Sequence, residues 1–327
     1  MRILRTLVKY FSCFSLLTSV SVTAQEDKWN SITLDNDLFI GDDSGYSNGL
    51  RYSYYKSNDA GLVEPGLLNY SMLWSLDLTH VKASYKASTF GQSIVTPRDI
   101  RVSEEQPNDV PYSGLMSFTQ ILVIDHGNYA DRVSSTLGII GPNSGAENTQ
   151  KVIHKLTGSD IPKGWKYQLG NEFVFQFSRG RAWRTWASQS DNFDLVTGYD
   201  LKIGTLESSV SWGGMMRYGR DMALTYSSAL LNDDRASNPV NINGGWFFYA
   251  GIEGRYMHNI IFLDGNTFKD SPSIDYPPFQ FNGVFGFTYA WEEISISIAI
   301  NNIDVFASSS NNEDIKEYGS FTLLWRL

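Results

Sequence analysis

A chain of 327 residues carries one cysteine, Cys13. It lies in the first 24 residues, so the rest of the sequence offers neither disulfides nor thiolate metal sites. That does not argue against export, because a large fold needs no covalent staples. Long hydrophobic runs are also missing. After the N-terminus nothing approaches the roughly 20 apolar residues of a spanning helix, which excludes a helical membrane protein. Positive charge is scarce, with 26 Lys and Arg against 35 Asp and Glu. No basic stripe exists for nucleic acid. The pattern Gly-x-Ser-x-Gly occurs once, as Gly45-Tyr46-Ser47-Asn48-Gly49, but it leads into a strand-like alternating run and not the strand-to-helix turn of a nucleophile elbow. No His-Glu-x-x-His zinc motif occurs, so serine-hydrolase and zincin chemistries lose support.

The opening stretch "MRILRTLVKYFSCFSLLTSVSVTA" reads as a signal peptide over residues 1–24. Arg2, Arg5 and Lys9 form a basic start, an apolar run follows, and Val22-Thr23-Ala24 offers small residues for cleavage. Removing those three charges takes the net charge from −9 to −12. Residues 25–327 show no internal repeat, low-complexity tract or linker, and read as one domain.

What is present is period-2 alternation with large apolar residues. In "LGNEFVFQFS" Leu169, Phe173, Phe175 and Phe177 share a face. In "FQFNGVFGFTYAW" the face is Phe279, Phe281, Gly283, Phe285, Phe287, Tyr289 and Trp291. A water-soluble sandwich alternates too. Three features favour a transmembrane antiparallel β-barrel. The runs are about 10 residues long, enough for a tilted strand to cross a bilayer. The opposite faces are small or charged, as a polar lumen requires, with Tyr and Trp near strand ends. The chain also stops on a strand, "YGSFTLLWRL".

About twelve strands are predicted, at 29–37, 46–57, 83–95, 113–125, 131–141, 169–178, 193–203, 206–217, 245–258, 279–290, 294–303 and 317–327, with 68–78 as a further strand or extension. An even number leaves both ends on the periplasmic side. Residues 38–45, 96–112, 142–168, 259–278 and 304–316 are then external, and 58–82 and 218–244 are unusually long periplasmic connections. Within 142–168 a short helix is predicted from about Ala146 to Thr157, capped by Asn143 or Ser144.

The polar residues of "SITLDNDLFIGDDSGYSNGLRYSYY" are Asp35, Asn36, Asp37, Asp42 and Asp43, followed by Ser47. Taken alone they read first as turn formers, and the spacing lacks the terminal Glu of an EF-hand. A lone exposed histidine is more often inert than catalytic. Yet this topology brings Asn36, Asp37 and Ser47 to the outer end, where the 142–168 loop carries His154 and, six residues on, Asp160. His126 falls in a predicted periplasmic turn.

At these residues the chain resembles a known family. "NDLF", "GYSNGLRYSY", "GQSIVTP", "VPYSGL", "GIIGP", "QKVIHKLTG" and "PKGWKYQLGNE" recur in this order in the outer-membrane lipid A 3'-O-deacylases of the LpxR type. The resemblance implies a twelve-stranded barrel that uses calcium to remove the 3'-linked acyloxyacyl group from lipid A of lipopolysaccharide in the outer leaflet. It places the family's Asn-Asp pair on Asn36 and Asp37, its strand-two hydroxyl on Ser47 (commonly Thr in the family) and its loop histidine on His154. The family's acidic residue six positions further, commonly Glu, falls on Asp160.

The implied roles are water activation by His154 and positioning of the water or the cluster by Ser47. Asn36, Asp37 and Asp160 would hold Ca2+ or orient its ligands. No protein partner is expected. Two alternatives stay open. One is an outer-membrane phospholipase using the same chemistry; the other is a non-enzymatic porin-like or adhesion barrel.

Overall fold

The alternating runs pair into one closed sheet. The computed structural model describes residues 27–36, 45–228, 244–303 and 317–327. Its strands are β1 Asp27–Asn36, β2 Gly45–Asn58, β3 Ala83–Thr96, β4 Ser113–Asp125, β5 Tyr129–Ile140 and β6 Glu172–Ala187. They continue with β7 Phe193–Gly204, β8 Glu207–Arg220, β9 Trp246–Ile260, β10 Phe279–Ala290, β11 Ile294–Ile303 and β12 Glu317–Arg326. Each is antiparallel to its sequence neighbours, and β1 pairs with β12 to close a twelve-stranded barrel. Closure leaves no edge and satisfies the strand backbone internally, which hydrocarbon demands.

All twelve predicted strands are found, with two corrections of substance. Residues 169–171 do not join the sheet, because the Leu169 N–H donates to the Tyr112 carbonyl and the Gly170 N–H to Asn266 Oδ1. β6 instead runs on to Ala187 through "SRGRAWRTWA". Its Arg179 and Arg181 are ion-paired to buried Asp131. Residues 68–78 form no strand either: Leu67–Ser75 is 3-10 helix.

Outward and inward faces differ as lipid and lumen require. Ile32, Leu34, Leu50, Tyr52, Phe90, Met116, Ile139 and Phe173 point out and are exposed. The inward face buries charge in pairs. Asp194 lies 2.7 Å from both Arg184 and Arg217, and Arg132 is 2.7 Å from Asp200. Glu207 accepts from Lys202 and Arg255.

Both ends of the lumen are filled by connections. On the periplasmic side the 3-10 segment Ala223–Ser228 turns inward, with the Tyr226 hydroxyl donating to Asp125 at 2.6 Å and Arg217 donating to the Thr225 hydroxyl at 2.7 Å. Trp29, Tyr55 and Tyr85 share that apolar cluster. At the outer end Leu263, Tyr276 and their neighbours pack on Val95, Met257 and Tyr318. The other long periplasmic connection goes to the opposite side of the wall: Val63, Met72, Leu73 and Leu76 lie on Leu122, Ile124 and Val133.

Candidate functional site at the outer wall

The external connection after β5 folds back onto the barrel's outside. Helix α1 spans Ala146–Thr157, as the sequence predicts. Its N-cap is Gly145 in the left-handed region, not Asn143 or Ser144. Asn143 instead donates its N–H to Asn171 Oδ1 at 2.7 Å. The Ser144 hydroxyl accepts weakly from Ala146 N at 3.4 Å.

Ala146, Gln150 and His154 recur every four residues and form the buried face of α1. What they face is lipid-side barrel. Asn36, Asn48, Ile94 and Gly114 occupy one cross-strand row on β1 to β4, in phase with exposed Leu34, Leu50 and Met116. Gly114 is the docking point, since a Cβ there would collide with the Cβ of Ala146 and the hydroxyl of Ser144. Ile94, Tyr112, Ala146 and Trp165 make the apolar seam. Burial there pushes the Tyr112 hydroxyl up to about 12. The Gln92 amide closes one side by donating to the Ser144 carbonyl at 2.7 Å.

His154 is only 6% exposed. The helix ends at Gly158, whose positive φ of 78° suits glycine and whose N–H returns to the His154 carbonyl. The chain then doubles back, and His154 Nδ1 meets the Asp160 carbonyl oxygen at 2.6 Å. A carbonyl only accepts, so Nδ1 carries the proton and the neutral ring keeps its lone pair on Nε2. One turn earlier Gln150 Oε1 accepts from Trp165 Nε1 at 2.9 Å, while its Nε2 is buried and has no hydrogen-bond partner among the described residues. Sequence reading missed Gln150, although its spacing from His154 marks it.

The remaining candidates fall unevenly. Asn36 ends β1 on the outward face, whereas Asp35 points into the lumen and binds Arg51 at 2.5 Å and Ser320 at 2.7 Å. Asp35 therefore leaves the polar knot. Ser47 is the extra residue of a β-bulge, where the β2–β3 register slips between Tyr46 and Asn48. Asp37, Asp42 and Asp43 lie outside the described residues. The Asp160 carboxylate is 65% exposed and lies 4.0 Å from Arg101. Among the described residues no three His, Cys, Asp or Glu side chains converge as a metal cluster.

A sequence profile of the family described as "Outer membrane protein LpxR" matches residues 10–327. The chain belongs to the LpxR family. Among solved structures, LpxR from Salmonella typhimurium superposes with a TM-score of 0.74 at 17% identity, covering 91% of this chain and 100% of that one. It shares the barrel fold.

Two other matches are more remote. The translocator domain of the autotransporter NalP from Neisseria meningitidis gives a TM-score of 0.43 at 8% identity, over 99% of this chain and 94% of that one. The KdgM porin gives 0.36 at 6%, over 93% and 99%. A search of curated proteins found no match. As an LpxR-family member with a closed twelve-stranded barrel, the protein is an outer-membrane β-barrel.

Proposed function

We propose that this LpxR-family barrel is a calcium-dependent lipid A 3'-O-deacylase, in which His154 activates the water that hydrolyses the ester of the 3'-linked acyloxyacyl group. The observation that carries the reading is the burial of an oriented imidazole between α1 and the lipid-facing wall. A soluble substrate is better served by a site at the lumen mouth. An ester at the head of a membrane lipid reaches this site with its chains still along the wall. Exposed Val152 and Leu156 on the far side of α1 extend the apolar surroundings.

In this reading His154 Nε2 takes a proton from water, and the resulting hydroxide attacks the ester carbonyl. The imidazolium then returns the proton to the leaving sugar oxygen, giving a free carboxylic acid and a sugar hydroxyl. The Asp160 carbonyl holds the ring throughout and stabilises its charged form through Nδ1–H. Gln150 Nε2, pinned through its oxygen by Trp165, is a fixed donor beside the reacting centre. Ser47, on its bulge, positions the water.

The donor chemistry fits a hard cation. Asn36 ends β1 on the same wall as α1, and Asp37 follows it in the sequence, so the pair would offer an amide oxygen and a carboxylate. Asp160, whose carboxylate is exposed and 4.0 Å from Arg101, would supply a second carboxylate. When bound, calcium would supply Lewis-acid polarisation of the ester carbonyl.

A channel reading gains nothing from the described lumen, which is packed at both ends. A phospholipase reading shares the chemistry and differs in substrate. The deciding experiment is mass spectrometry of lipid A and phospholipids after expression of the wild type and His154→Ala. Loss of the 3' acyloxyacyl mass in the wild type alone supports the proposal. Lysophospholipid with intact lipid A replaces it by the phospholipase, and no change in either overturns both.

A further inference from the structure

The connection between β2 and β3 lies against lipid-facing wall at the periplasmic end, which is unusual for a polar turn region. The wall beneath it is polar at outward positions that would otherwise meet acyl chains. The connection satisfies them, mostly through its backbone. Ser84 Oγ donates to the Gly61 carbonyl at 2.7 Å and accepts from Val63 N at 2.6 Å. Gln120 Oε1 accepts from Leu68 N at 2.8 Å, and the Gln120 carbonyl from Asn69 Nδ2 at 2.9 Å. Ser135 donates to the Leu68 carbonyl at 3.0 Å, and Arg179 to that of Ser75 at 3.3 Å. Gly66 permits the close approach, since a Cβ there would lie 2.6 Å from Gln120 Oε1.

The other face of this segment carries exposed apolar groups at helical spacing. Leu67 is 81% exposed and Trp74 86%, with Tyr70 and Leu78 between and beyond them. Beside it Lys28, Lys56 and Lys86 stand directly opposite one another across β1, β2 and β3, in phase with the outward Ile32, Tyr52 and Phe90. Like charges facing across strands repel. The row lies four residues below Phe90, about 10 Å down the membrane normal for a tilted strand, where an apolar band gives way to headgroups.

We propose that residues 59–82 are an in-plane anchor seated in the periplasmic-facing phospholipid leaflet, with the lysine row beside it selecting anionic phospholipid. The exposed face continues the barrel's lipid-facing surface, because the segment lies on top of that surface. Its Trp and Tyr sit at headgroup depth while Leu67 contacts chains. Lys28 and Lys86 reach their heads toward lipid phosphates and lay their stems along the wall. This is independent of the chemistry at His154, which is at the opposite end.

The test uses the full chain with Cys13→Ser, so that an introduced cysteine is the sole one, carrying a fluorophore at Trp74→Cys. Phe90→Cys is the lipid-facing reference and Ser190→Cys the aqueous one. In phosphatidylcholine vesicles the probe at 74 should be quenched by nitroxide-labelled phosphatidylcholine like that at 90. Iodide on both sides of the bilayer should spare it. Quenching by iodide as at 190 overturns the anchor. Protection from both quenchers means that protein covers the face, and overturns it equally.

Nitroxide-labelled phosphatidylglycerol should quench at lower mole fraction than the choline lipid. The advantage should fall by about fivefold for each lysine removed in Lys28→Gln and Lys86→Gln. A wild type with no such preference overturns the headgroup half.

Discussion

The Nδ1 of His154 and the backbone carbonyl oxygen of Asp160 lie 2.6 Å apart. The contact is made by the Asp160 main chain, so it survives substitution of that side chain, whereas the proposed base is the ring itself. His154→Ala should lower deacylation by at least about 100-fold, the usual scale for a lost general base. His154→Asn, which retains a donor but no titrating nitrogen, should be equally inactive. Thermal unfolding in detergent should match the wild type. An asparagine variant with substantial turnover would show that the ring only positions something else.

Asp35 and Asn36 adjoin in sequence but face opposite sides of β1. Asp35, fully buried, neutralises Arg51 in the lumen. Asp35→Ala removes the carboxylate that neutralises this guanidinium and should cost about 3–5 kcal/mol of stability, with activity per folded molecule retained. Asn36→Ala should do the reverse, losing activity at unchanged stability. Unfolding curves and initial rates on the same preparations distinguish them, and an inactive but stable Asp35→Ala would return that carboxylate to the site.

This pair also shows what the sequence could and could not yield. Alternation of large apolar residues located all twelve strands, because a barrel wall imposes the same two-sided environment along every strand. The run Ala146–Thr157, free of Gly and Pro, announced α1. Which member of a polar knot faces which side was not read, since Asp35, Asn36 and Asp37 are adjacent and only the register with β2 and β12 assigns faces. The further strand or extension expected at 68–78 is absent for a related reason, Leu67–Ser75 being 3-10 helix. Its apolar residues serve two contacts at once, the wall on one side and the exposed surface on the other, and a short apolar run does not tell helix from strand. Gln150 went unnoticed because an amide on a helix is ordinary until its partner, Trp165, is seen to hold it.

Gln150 Nε2 is a buried donor with no acceptor among the described residues. If it serves the developing oxyanion, Gln150→Leu should lower kcat by about 10- to 100-fold with KM little changed. Trp165→Phe removes the hydrogen bond that pins the amide and should give a smaller loss of the same kind. Steady-state kinetics on lipid A in mixed micelles supply both constants. A rise in KM alone would assign Gln150 to substrate binding.

Docking of α1 depends on Gly114, where any side chain meets Ala146 and Ser144. Gly114→Val should lift the helix from the wall and cost at least about tenfold in activity, because misplacement near 1 Å is enough to lose such a factor. The barrel strands, paired independently of the helix, should melt as before. Protease cleavage within residues 146–157 should accelerate in the variant. Wild-type activity with Val at 114 would mean that the helix seat contributes nothing to catalysis.

The Asp160 carboxylate is exposed and near Arg101, 4.0 Å away, so a metal role requires it to exchange that neighbour for the ion. Activity should disappear in EDTA and return with calcium. Asp160→Asn should raise the calcium concentration for half-maximal activity by about tenfold, because an amide oxygen binds a hard cation less strongly than a carboxylate. Arg101→Ala should lower it, since the competing cation is gone. Calcium titrations of activity in the two variants therefore move in opposite directions. If both leave the midpoint unchanged, Asp160 contributes to the site through its carbonyl alone, and the ion is held without it.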